Sequence, residues 1–118
     1  MPVSLSPAAD VLATIRDYLE TQVLPSLRDD IWFNVKVSCN MLATVERELR
    51  LGPAADADEA VRLAALTGAG GALEEMNRAL ARAIRDGSIA SDDPDLLDHL
   101  RRTTVDALRI NNPRWLER

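Results

Sequence analysis

Residues 31–52 read IWFNVKVSCNMLATVERELRLG, and their spacing decides the fold class. Ile31, Val35, Leu42, Val45 and Leu49 recur at helical intervals as one stripe, with Ser38 in its middle. Trp32, Cys39 and Ala43 widen the stripe on one side, and Val37 and Met41 on the other. That leaves Lys36, Asn40 and Arg47 as a narrow polar strip in the early turns. A helix that is apolar nearly all round is normally surrounded by others, so the segment predicts a central helix over about 30–51. Asp29-Asp30 supplies a cap and acids suited to the positive helix end. Glu46-Arg47-Glu48 and Arg50 turn the last turns toward solvent, and Gly52-Pro53 is the expected stop.

Upstream, Ser6-Pro7 offers a capping serine with proline at the first helical position. Val11, Leu12, Ile15, Tyr18, Leu19 and Val23 then share one helix face. Pro25 has no backbone donor, so it ends or kinks this helix near Val23. Downstream, Asp56 or Asp58 starts a short helix to Thr67 carrying Val61, Leu63, Ala64 and Leu66, and Gly68 to Gly71 makes a flexible connection. Leu73, Met76, Leu80, Ala83 and Ile84 line a fourth helix over about 72–86. Glu74 stands four residues ahead of Arg78, the favourable order for a helix ion pair, and Gly87 is the cap. Asp93-Pro94 opens a last helix whose buried face is expected to be Leu96, Leu97, Leu100, Thr104, Ala107 and Leu108. Asn111-Asn112-Pro113 closes it. No segment reads as a strand. The expectation is all-α: an antiparallel helical bundle of about five helices around a central second helix, one domain over 1–118.

Composition narrows the function classes. Apolar residues at 47% suffice for one core in 118 residues, and aromatics at 3% leave it to aliphatic side chains, which favours helices over sheets. A net charge of -5 argues against nucleic acid as a partner, since phosphate binding needs clustered cations and here the arginines alternate with acids. The single cysteine, Cys39, cannot form an intramolecular disulfide or anchor a structural zinc site by itself. The opening MPVSLSPAAD lacks the basic and apolar regions of a signal peptide, and no segment approaches a membrane span. A cytoplasmic protein with no membrane partner is expected.

Four features invite a chemical reading and each has a structural one. His99 is the lone histidine, with Asp95 one turn before it, but it falls at the edge of the apolar face with no nucleophile paired to it. Cys39 sits among apolar neighbours, where a thiol behaves as a small inert hydrophobe. The acidic run Ser91-Asp92-Asp93-Pro94-Asp95 lacks the spacing and glycine turn of a calcium loop and reads as helix capping. Gly68 to Gly71 follows no strand and lacks a phosphate-binding lysine, so it reads as a linker. No catalytic residue, cofactor or metal is assigned.

More informative are polar side chains where the pattern wants carbon: Asn34, Ser38 and Asn40 on the central helix, Asn77 on the fourth, and the Asn111-Asn112 turn. They either satisfy one another as a buried network or line a small polar pocket between helices. Trp32 and Phe33 cannot both face one neighbour. Together with Arg114 and Trp115 of the tail they are candidates for an interface, with a partner protein or with another copy in a homo-oligomer. Alternatively the tail folds back and Trp115 packs over that end.

Four stretches carry a resemblance: ADVLATIRDYLETQVLP, FNVKVSCNMLATVERELRLGP, LEEMNRALARAIRDG and DDPDLLDHLRRTTVDALRINNPRW. Together they resemble a family of small bacterial helical proteins catalogued only as a domain of unknown function, over nearly the whole chain. Asn40, Glu46, Arg47, Glu48, Gly52, Pro53, Asn77, Asn112, Pro113 and Arg114 are the family-like positions, and Asn34 stands where many relatives have histidine. The family's members are often encoded beside aminoglycoside-phosphotransferase-like kinases and acyl-CoA dehydrogenases. The resemblance therefore implies an accessory protein in acyl-CoA catabolism, with a kinase-like or acyl-CoA dehydrogenase-like partner, rather than an enzyme. The alternative is a small ligand-binding protein or enzyme with a polar pocket that uses Asn40, Asn77 and His99.

Overall fold

Pro7 heads the first helix in an extended conformation, and its carbonyl accepts from the amides of Asp10 and Val11 at 2.9 and 3.1 Å. The expected serine cap, Ser6, lies outside the described residues, which are 7–117 of a computed structural model. Helix α1 (Ala8–Tyr18) gives way to a π-turn at Leu19–Val23 and a 3-10 turn at Leu24–Ser26. Pro25 has no N–H to return to the ladder, so the winding changes just before it, as its position predicts. Asp29, at φ 53, then turns the chain into the next helix; a short polar side chain tolerates that left-handed conformation.

Helix α2 runs over Asp29–Thr67, 39 residues, with Pro53 inside it. This corrects the expected stop at Gly52-Pro53 and merges the second helix with the short third one. The physical reason lies in the residues beyond the proline. Pro53 removes one bond, to the Leu49 carbonyl, whereas Ala54, Ala55, Ala57, Glu59 and Ala60 favour helix and Leu63 is wholly buried. Helix α3 spans Leu73–Asp86 and α4 spans Pro94–Asn111, with a 3-10 turn at Pro113–Glu117. The chain is all-α, with four α-helices and no strand among the described residues.

Capping follows the sequence. Asp93 accepts from the amides of Asp95 and Leu96 at 2.8 and 3.2 Å, and Pro94 occupies the first helical position. Gly87, at φ 83, closes α3 in the left-handed conformation that a side chain would resist. Glu74 and Arg78 pair at 2.6 Å on the open face of α3.

The chain divides into two compact units between Gly52 and Pro53. In the first, α1 is tied to α2 by Asp10–Arg50 at 2.9 Å and Arg16–Glu46 at 3.3 Å. Ala9, Leu24 and Cys39 are buried there. The early part of α2 is therefore not enclosed as its pattern suggests: Ile31, Phe33, Val37, Met41, Val45 and Leu49 are exposed. Among the described residues of this unit, α1 is the helix that ion pairs set against it, and one neighbour covers one face. In the second unit, Leu63 of α2, Met76 and Leu80 of α3 and Leu96 of α4 form the core, with Ala60, Leu66, Leu73 and Ile89 against it. On α4, Leu97 and Leu100 face outward and His99 takes the inward place expected of them.

Candidate functional site

The second unit holds a polar centre of which the sequence singled out only His99. Asp58 and Arg62 lie one turn apart on α2, and His99 and Thr103 one turn apart on α4. The Arg62 guanidinium joins them: Nε donates to Nδ1 of His99 at 3.0 Å, one terminal nitrogen donates to the Thr103 hydroxyl at 3.0 Å, and the other pairs with the Asp58 carboxylate. A planar five-donor fork suits three such acceptors at once. The available signal was two i, i+4 polar pairs on separate helices; nothing in the sequence indicated that they face each other.

His99 is 2% exposed, so it is a core residue rather than the boundary residue expected. Burial pushes its pKa below the ordinary value of 6.5, and the Arg62 charge lowers it further against the opposing pull of Glu59 and Asp98. Because Nδ1 accepts from Arg62, the neutral ring carries its proton on Nε2. Its basic lone pair is thus engaged, and the imidazole is built to donate a hydrogen bond rather than to take a proton. His99 and Arg62 line a cleft of about 310 Å3 with Ala65, Leu66, Asp95 and Asp98. Asp98 is tied to Arg102 at 2.9 Å. A second cleft of about 320 Å3 is lined by Asp58, Arg101, Arg102, Val105, Asp106 and Arg109. Among the described residues, no group of three or more His, Cys, Asp and Glu side chains is arranged to hold a metal ion.

The amides singled out in the sequence are placed differently from expectation. Asn34, Ser38 and Asn40 are exposed in the first unit. The Ser38 hydroxyl donates to the Asn34 carbonyl at 2.9 Å, and the Asn40 carbonyl accepts from Thr44 at 3.1 Å, both bonds within the helix itself. In the second unit, exposed Asn77 donates to the Leu73 carbonyl at 3.0 Å and to Glu59 at 3.5 Å. Asn111 is exposed, and Asn112 is the C-cap of α4, its amide bonded to the Leu108 carbonyl at 2.8 Å. The Ser38 hydroxyl thus serves its own helix, and the Asn77 side chain its own helix and a neighbouring carboxylate.

The interface candidates are open. Trp32, Phe33, Arg114 and Trp115 are all exposed, and the Trp115 amide bonds to the Asn112 carbonyl at 3.1 Å. Phe33 is continued along α2 by Val37 and Met41 at four-residue steps, with 61% of Phe33 and 65% of Met41 exposed. Val37 and Met41, which the sequence pattern sets beside the apolar stripe of an enclosed helix, are thus open. Cys39 is fully buried, as a small hydrophobe would be. No helix is long and apolar enough to cross a membrane among the described residues.

Several family-like positions have structural tasks. Glu46 bridges Arg16 and lies 3.9 Å from Arg50, and Arg47 donates to the Thr44 hydroxyl at 3.2 Å. No curated protein and no solved structure matches the chain. The family model described as Domain of unknown function (DUF6285) matches residues 25–115, which span α2, α3 and α4 together with the Arg62–His99 centre and the exposed ridge, and the chain belongs to that family.

Proposed function

We propose that this protein acts by binding another protein, as a helical accessory to an enzyme. The observation that carries this reading is the Phe33–Val37–Met41 ridge beside exposed Trp32. Exposed aromatic and methionine side chains in contiguous array favour burial against a partner, and aromatics are enriched where binding energy concentrates. A ridge at i, i+4, i+8 suits a groove on the partner, the helix-in-groove mode. The family resemblance supplies the partner class: an aminoglycoside-phosphotransferase-like kinase or an acyl-CoA dehydrogenase, in acyl-CoA catabolism. Co-expression with each enzyme followed by affinity capture tests this. Capture that is lost in Phe33→Glu and Met41→Glu is expected; separate elution of the two proteins at micromolar concentration would refute the reading.

A second reading has one observation in its favour. His99, Arg62 and Asp95 border an open cleft beside apolar Ala65 and Leu66, a setting for a small polar ligand. A thermal-shift screen with acyl-CoAs and nucleotides addresses it, and a shift that disappears in His99→Phe is the expected signature. Unchanged melting with every ligand would remove it.

A further inference from the structure

The cleft of about 320 Å3 in the second unit shares no lining residue with the cleft of His99. One wall comes from α4, where Arg101, Val105 and Arg109 follow one another at four-residue steps and Arg102 and Asp106 form the adjacent row. Asp58 of α2 completes the lining. Three arginines around one cleft are a local excess of positive charge in a chain whose net charge is -5. Salt screens charges more than about 8 Å away at physiological ionic strength, so a ligand in the cleft responds to its lining rather than to distant acids.

Each lining charge can be followed to its partner. Asp58 is held by Arg62, which His99 and Thr103 fix in turn. Asp106 lies 3.6 Å from Arg109, and Arg109 in the last turn of α4 also suits the negative helix end. Those two carboxylates and their two arginines cancel. Arg102 pairs at 2.9 Å with Asp98, which lies outside this lining. Both side chains of that pair are about half exposed, so it is weak and open to exchange. Arg101 makes no side-chain hydrogen bond or ion pair with any described residue. The helix dipole does not account for it, because Arg101 stands more than two turns before the end of α4 and the dipole acts within the last turn. Arg101 and Arg102 thus bring two positive charges that no carboxylate of the cleft neutralises.

We propose that this cleft binds a small phosphomonoester, with the phosphate on Arg101 and Arg102. A phosphomonoester carries a charge of about -1.5 to -2 at pH 7, which two guanidiniums match. Their forked N–H donors fit phosphate oxygens two at a time. A single carboxylate would leave one of the two arginines unanswered. The cleft lies at the low end of the volumes, about 300–1,000 Å3, that hold small organic ligands, so it has room for more than the phosphate ion. Val105 offers that remainder an apolar contact. Asp58 and Asp106 each keep acceptor capacity for hydroxyl groups on it, because an ionised carboxylate has about four lone-pair sites and each is engaged by one arginine.

Amide chemical-shift titration of the full-length chain at pH 7 in about 0.1 M salt tests this, with inorganic phosphate, glycerol 3-phosphate, ribose 5-phosphate and ribose as probes. The shifts are expected to concentrate on α4 around Arg101, Arg102 and Val105, and to saturate with a Kd of about 1 mM or tighter for the esters. Inorganic phosphate should bind the same residues several-fold more weakly, and ribose should not bind. Arg101→Gln and Arg102→Gln should each weaken the esters about tenfold, since each removes a charge-assisted donor pair. Asp106→Asn should tighten them by releasing Arg109. Arg78→Gln, at an exposed ion pair on α3, should leave the affinity unchanged. The same spectra show whether each variant keeps its fold. Shifts spread over every arginine-bearing helix, or no saturation by about 20 mM, would overturn the proposal. So would affinity indifferent to both Arg101→Gln and Arg102→Gln. Inorganic phosphate binding as tightly as both esters would overturn the assignment to an ester.

Discussion

At the scale of single residues, Arg62 and His99 are the most consequential pair. His99 is neutral in the folded protein because burial and Arg62 both oppose its protonation. The unfolded imidazole protonates near 6.5 and the folded one at lower pH. Between those values the unfolded state binds more protons, so stability falls as pH drops below about 6.5 and the loss is complete below the folded value. Urea titrations between pH 8 and pH 5 should show this decline, and His99→Gln should flatten it. An unchanged slope in His99→Gln would mean that the decline belongs to other groups. Arg62→Ala should cost about 1–3 kcal/mol by leaving the partly enclosed acceptors of His99 and Thr103 without their donor. Arg62→Lys should restore little, because one ammonium cannot span three acceptors. Leu63, fully buried beside this pair, should cost about 2–5 kcal/mol when cut to alanine, read from the denaturation midpoint.

At the scale of elements, α2 is the anomaly. A helix of 39 residues passes through Gly52 and Pro53, two residues that normally end one. A Cβ placed on Gly52 meets only the Glu48 side chain, at an ordinary 3.8 Å. Gly52→Ala is therefore expected to stabilise the protein by about 0.5–1 kcal/mol, through lower chain entropy in the unfolded state. A midpoint shifted downward would show that the helix needs the glycine at this point. The opposite holds for the Asp93 cap: Asp93→Ala should cost about 1 kcal/mol, because the amides of Asp95 and Leu96 lose their acceptor. Differential calorimetry on the two variants resolves the signs.

At the scale of the whole molecule, the two units differ in what holds them. Met76, Leu80, Leu96 and Leu63 interlock in the second, whereas the first buries Ala9, Leu24 and Cys39 and leaves broad apolar faces open. Amide protection tracks buried contact, so α3 and α4 amides should exchange more slowly than those of α1 at low micromolar concentration.

The sequence by itself determined what depends on near neighbours along the chain. Helical periodicity, the Asp93-Pro94 start, the Gly87 stop, the Glu74–Arg78 pair and the change of winding before Pro25 all follow from spacing and local backbone chemistry. Cys39 as a buried hydrophobe was legible for the same reason. Tertiary structure alone decided which apolar stripes are covered. Residues 31–52 carry the pattern of an enclosed helix, yet periodicity records only that a face is apolar, and whether carbon, water or another molecule lies opposite depends on distant chain. The continuation through Pro53 was decided the same way: Leu63, fully buried, lies ten residues further along the same helix. So was the Arg62–His99 centre, in which residues 37 positions apart meet because Leu63 and Leu96, their neighbours in the chain, belong to one core.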